Sequence, residues 1–128
     1  MKEELLKLLN NSYAKYSKFK VAAIVVMKDG KTFKGVNVEN ASYGAAICAE
    51  RNAISTAITE GYTKGSFKDL YIMADSKIIA TPCFMCRQVI SELFNKDANI
   101  ICMNNTGKSM KFKVKELCPY PFDEDNLK

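Results

Sequence analysis

The chain has 128 residues, 48% apolar and 26% charged, a balance that fits one domain spanning 1–128 and excludes disorder over most of its length. Its net charge of +5 is scattered, with no block of roughly five or six like charges, which argues against nucleic acid as a partner. The longest apolar run, VAAIVVM, falls far short of the roughly 18 residues a membrane span needs, and MKEELLKLLNNSYAKY interleaves acids and lysines unlike a secretory signal, so the expected setting is cytoplasmic.

Leu5, Leu6, Leu8 and Leu9, continued by Tyr13 and Tyr16, have helical spacing and predict a first helix over 2–16. FKVAAIVVM reads as a buried strand, KDGK as a hairpin turn in which Gly30 supplies positive φ, and TFKGVNVEN as the antiparallel partner. A second helix is predicted from about Cys48 to Ile58, stopping at Gly61. DLYIMAD is a short strand, and Pro82 suits the entry of a third helix running to about Asn95. NIICMN and KFKVK complete about five strands, and ELCPYPFDEDNLK should be irregular. Alternation of strand and helix after residue 40 predicts an α/β layered fold, with a mixed sheet because the first two strands are tightly joined.

Five cysteines and no histidine, without a secretory signal, point away from a disulfide framework and towards metal or catalytic use. Cys83 and Cys86 stand three apart at a predicted helix start, on one face, where the helix dipole and free N–H groups favour thiolate. Taken alone, such a C-x-x-C is equally a redox pair, half a zinc site or core packing. AAICAERNAI changes the balance, because Cys48 opens another helix and Glu50 follows two residues on. Three thiolates with an open fourth position make a catalytic zinc arrangement, and a nearby carboxylate that does not bind the metal can shuttle protons. Cys102, inside IICM, and Cys118, inside ELCPYPF, have no ligand-like neighbours and read as small buried hydrophobes.

C-A-E at 48–50 with P-C-x-x-C at 82–86 resembles the zinc deaminase signature with cysteine in place of histidine. With YSKF, NVENASYG and CRQVISEL, the chain from about Tyr13 to Phe122 is similar to the small homotetrameric cytidine deaminases, in order and over most of its length. That resemblance implies a three-layer α/β/α fold and hydrolytic deamination of cytidine and 2′-deoxycytidine, with one Zn²⁺ per subunit on Cys48, Cys83 and Cys86. It also implies Glu50 as the acid–base, Arg51 as a donor to the ligand thiolates, and Asn37 and Glu39, which share a strand face, as ribose contacts. Phe19 would pack on the pyrimidine, as would Phe122 from a neighbouring subunit, while Tyr43 and the Ala49 backbone line the substrate site. Gln88 and Arg87 are expected behind the cysteines or at a subunit contact. The match departs at Phe84-Met85, where small residues are usual, and at Lys15 and Ala22. A deaminase acting on a modified nucleoside or a polynucleotide is one rival; a closed, non-catalytic zinc module using Cys102 or Cys118 as fourth ligand is another, and a dithiol oxidoreductase a third.

Overall fold

The computed structural model describes residues 1–128. Five strands form one mixed sheet in the order β2-β1-β3-β4-β5: β1 Val21–Met27, β2 Thr32–Val36, β3 Phe67–Ala74, β4 Asn99–Met103 and β5 Ser109–Lys113. Only β3 and β4 run parallel, and the helix between them makes the crossover that a parallel pair requires. The other neighbouring pairs are antiparallel. The hairpin between β1 and β2 turns on Gly30 at φ 91°, as KDGK predicts.

Period-2 alternation splits the sheet into two apolar faces. Ala23, Val25, Leu70, Ile72, Ile100 and Cys102 pack with α2 (Ala49–Thr59) and α3 (Phe84–Leu93) in the larger core. Ala22, Ile24, Met73 and Met103 face the other way and meet Leu5 and Leu9 of α1 (Lys2–Leu9). Helices thus cover both sides of the sheet, in the expected three layers.

α1 ends at Leu9 and does not continue to residue 16. Beyond Asn11 the chain leaves the helix for a bridge to the segment after β2: Tyr13 N–H donates to the Asn37 carbonyl at 3.0 Å, and Glu39 N–H to the Tyr13 carbonyl at 2.8 Å. These long-range pairings win over helical continuation. KFKVK also divides, Lys113 closing β5 while Val114–Leu117 forms the short helix α4. Within the tail predicted to be irregular, Glu124–Leu127 makes a 3₁₀ turn.

α2 lies almost on the backbone of β2, and Gly35 makes that possible. A Cβ there would stand 2.5 Å from both the Ala49 carbonyl oxygen and the Ala53 nitrogen. Asn52 fastens the same contact, donating to the Val36 carbonyl at 2.8 Å. Gly35→Ala must therefore push back the first turn of α2. Chemical denaturation should show a loss of about 1–3 kcal/mol, typical of overpacking; an unchanged midpoint would mean that the contact yields freely.

Candidate active site

The N-termini of α2 and α3 bring the three predicted cysteines together. Cys48 and Cys83 are the residues just before the two helices, in extended conformation, and neither side chain turns back to cap its helix. Both sulfurs are left to face one another, 3.7 Å apart. Cys86, buried in the first turn of α3, stands 3.5 Å from Cys83. All three sulfurs lie within 4.8 Å of one another, and all five cysteines are free.

The spacing suits a metal. Thiolates about 2.3 Å from a tetrahedral zinc ion sit roughly 3.8 Å from each other, close to the separations seen here. An all-sulfur donor set also favours a soft or borderline ion such as zinc over magnesium or calcium. Cys102, inside β4, and Cys118, which donates to the Arg87 carbonyl at 3.5 Å, do not join the cluster. A closed four-cysteine site is therefore absent.

Electrostatics in the cluster are uneven. The neighbouring Cys86 thiol and then Arg51 favour the thiolate of Cys48, and against the cost of burial they lower its pKa to about 5. The neighbouring Cys48 sulfur pushes the Cys86 thiol up, with burial acting in the same direction. Arg51 Nη2 lies 3.7 Å from Cys48 Sγ, in the place to offset thiolate charge; its buried Nε has no hydrogen-bond partner. Glu50 is only 5% exposed, and burial is the main reason its carboxyl titrates above its usual range.

A cavity of 190 Å³ opens beside the sulfurs. Phe19, Asn37, Cys48, Ala49, Glu50 and Cys83 all line it, so six predicted site residues meet around one space. Sequence reasoning missed the rest of the wall: Val21, Ile72 and Ala74 from the sheet, with Ala80 and Thr81 from the segment before α3. Val21, Ile72 and Ala74 carry the alternation of strand residues and give no local sign of facing a ligand.

The remaining candidates lie elsewhere. Glu39 and Tyr43 border a neighbouring groove with Tyr16, Ser17, Asn40 and Ala46. The Glu39 carboxylate is held by the Ser17 hydroxyl and by the backbone N–H groups of Tyr16 and Ser17 at 2.9 and 3.0 Å. Those donors, the Ser17 hydroxyl foremost, keep its pKa below the usual carboxylate range. Asn37 is similarly engaged: its carbonyl oxygen accepts from Val21 N–H at 2.9 Å and from the Ser12 hydroxyl, and its amide donates to the Phe19 carbonyl at 2.8 Å. Both residues of the N-x-E pair therefore organise the loop that carries Phe19. Phe122 lies outside the cavity of its own chain, and Gln88 donates to its carbonyl at 2.7 Å, fastening the tail to α3.

Comparison with known proteins agrees with this geometry. The family model for the cytidine and deoxycytidylate deaminase zinc-binding region matches residues 1–103. The cytidine deaminase of Halalkalibacterium halodurans is 37% identical over 125 residues, covering 98% of this chain and 93% of the relative. That of Sporosarcina psychrophila is 36% identical over 124 residues, covering 97% and 90%. The crystal structure of cytidine deaminase from Burkholderia pseudomallei superposes with a TM-score of 0.86 at 37% identity, over 94% of this chain and 98% of the other.

Proposed function

Since the chain belongs to the cytidine and deoxycytidylate deaminase family with a zinc-binding region, we propose that it catalyses the hydrolytic deamination of cytidine to uridine and ammonia, and of 2′-deoxycytidine to the matching product. The observation that carries this reading is a buried Glu50, its pKa raised by burial, beside three converging cysteine sulfurs, with Glu50, Cys48 and Cys83 on the wall of one cavity.

Cys48, Cys83 and Cys86 would hold one Zn²⁺ per subunit. Bound zinc supplies Lewis-acid activation of water at neutral pH, worth several pKa units on that water. The protein's own groups do the rest. The Glu50 carboxylate takes one proton of the water that attacks C4 and delivers it to N3 of the ring. It then takes the proton of the new C4 hydroxyl and passes it to the amino group as the C4–N bond breaks, the carbonyl forms and ammonia leaves. Water is consumed and ammonia released, so atoms and charge balance. Burial favours this exchange, because a carboxyl held above its ordinary range by desolvation is a better proton acceptor than an exposed one. Phe19 offers a flat apolar ring to the base. Asn37 and Glu39, with Tyr43 and the Ala49 backbone, serve the sugar side, Glu39 exchanging its loop donors for a ribose hydroxyl.

The proposal extends to assembly. Large apolar side chains of Phe84, Met85, Tyr120 and Phe122 stand exposed around the start of α3 and the tail. Such a patch suits burial against further copies. It supports a homotetramer in which Phe122 of one copy completes a neighbour's site. Five free cysteines fit a reducing, cytoplasmic setting, and nucleoside substrates fit a role in pyrimidine salvage. No helix is long and apolar enough to cross a membrane.

The test is ammonia release by purified, zinc-loaded protein supplied with cytidine or 2′-deoxycytidine. Turnover of cytidine is expected, and comparison of kcat/KM ranks the two sugars. A folded, zinc-loaded protein that leaves cytidine untouched would overturn the assignment.

A further inference from the structure

We infer that Arg87, capped by the ring of Phe84, is the positioning residue for the Cys83 ligand and for the cavity wall beside it; this rests on the reading of Cys48, Cys83 and Cys86 as a metal site.

The segment between β3 and α3 supplies Ala80 and Thr81 to the cavity and Cys83 to the sulfur cluster. Yet residues 79–82 form no hydrogen bond with any other backbone group, and the only side chain that bonds them is that of Arg87. Its Nε donates to the Pro82 carbonyl at 2.7 Å and its Nη2 to the Thr81 hydroxyl at 2.8 Å. Nη1 donates to the Leu117 carbonyl at 3.0 Å, one of the unpaired carbonyls at the end of α4. Every nitrogen of the guanidinium is therefore committed, and its planar fork ties the approach to Cys83 to an element thirty residues further on.

Phe84 finishes the arrangement. It is 77% exposed, too open to be a core residue, and its ring centroid lies 4.5 Å from the Arg87 guanidinium carbon. Spaced i and i+3 in the first turn of α3, the two side chains share a helix face. The ring covers the cation and limits its alternative rotamers, an attraction within ordinary cation–π range. A bulky aromatic between two metal cysteines thus acts locally, bracing the arginine that holds Thr81 and Pro82.

The experiment measures metal retention. Zinc-loaded wild type, Arg87→Ala, Arg87→Lys and Phe84→Leu are competed against a chromophoric chelator, and the visible spectra of the cobalt(II)-substituted proteins are compared. Arg87→Ala should weaken zinc binding about 10- to 100-fold, the usual consequence of losing a group that orients a ligand. Arg87→Lys should recover only part, since an ammonium cannot make the three-way fork. Phe84→Leu, which keeps an apolar side chain on that surface and removes only the ring, should weaken binding about two- to fivefold. In the arginine variants the cobalt ligand-field bands should shift, a change in ligand geometry that general loss of stability would not produce. Zinc affinity and cobalt spectra equal to wild type in folded Arg87→Lys and Phe84→Leu would overturn the proposal, even if Arg87→Ala fails to fold. Wild type that binds no ion would sink the metal reading itself, a distinct failure.

Discussion

Replacing Glu50 with glutamine should lower kcat for cytidine by about 10²- to 10⁴-fold while leaving zinc content at one equivalent and KM nearly unchanged. The amide keeps the length and hydrogen-bonding capacity of the carboxyl, and it does not disturb the sulfurs. What it loses is the ability to carry a proton between water, ring nitrogen and leaving group. The fold has no need of the charge. Glu50 is 5% exposed, burial raises its pKa, and the negative charge at Cys48 raises it further. A neutral amide removes the cost of burying an ionisable group, so thermal stability should hold or rise. A folded, zinc-replete Glu50→Gln protein retaining more than a tenth of wild-type kcat would show that another group moves the proton. A purely structural Glu50, by contrast, would show itself as lost stability with intact turnover.

Much of the site was legible because its chemistry is tied to local structure. Cys48, Cys83 and Cys86 are separated in sequence, but each lies where a predicted helix begins, and two helix starts pointed at one place make a cluster. The sheet was legible for a similar reason: alternation in VAAIVVM and IICM assigns each side chain to one face. Partners more than a few residues away were not legible. Nothing in NVEN announces that the Asn37 and Glu39 side chains are occupied by the backbone of residues 16–21, or that a backbone bridge to Tyr13 stops α1 at Leu9. Gly35 looks like an ordinary strand glycine until α2 is laid against it. Arg87 reads as one more helix arginine, because the carbonyls it satisfies belong to Pro82, before the helix, and Leu117, thirty residues after it. Periodicity reports which face a residue occupies; it does not report what will be opposite.

Removing the metal, or one of its sulfurs, should be the largest perturbation of all. A chelator that strips zinc should abolish ammonia release and lower the melting temperature by roughly 10–20 °C, since a ligand present at about a thousand times its Kd stabilises the fold by about 4 kcal/mol. The structural reason is that the cluster staples the start of α2 to the start of α3, elements that otherwise meet through a small part of the larger core. Cys83→Ala separates the two effects. Cys83 is exposed, so its truncation opens no cavity in the core, whereas Cys86 is wholly buried and its loss also removes packing. Cys83→Ala should therefore resemble the zinc-stripped wild type in stability and lack activity; Cys86→Ala should be less stable than both. Binding must also be proton-coupled: the neighbouring Cys48 sulfur and burial raise the Cys86 thiol, and a metal ligand has to be a thiolate, so a proton is displaced when a cation arrives. Zinc affinity should accordingly weaken as pH falls, measured by competition with the same chelator at several pH values. A Cys83→Ala protein that retains zinc and turnover would remove Cys83 from the ligand set, and with it the three-sulfur site.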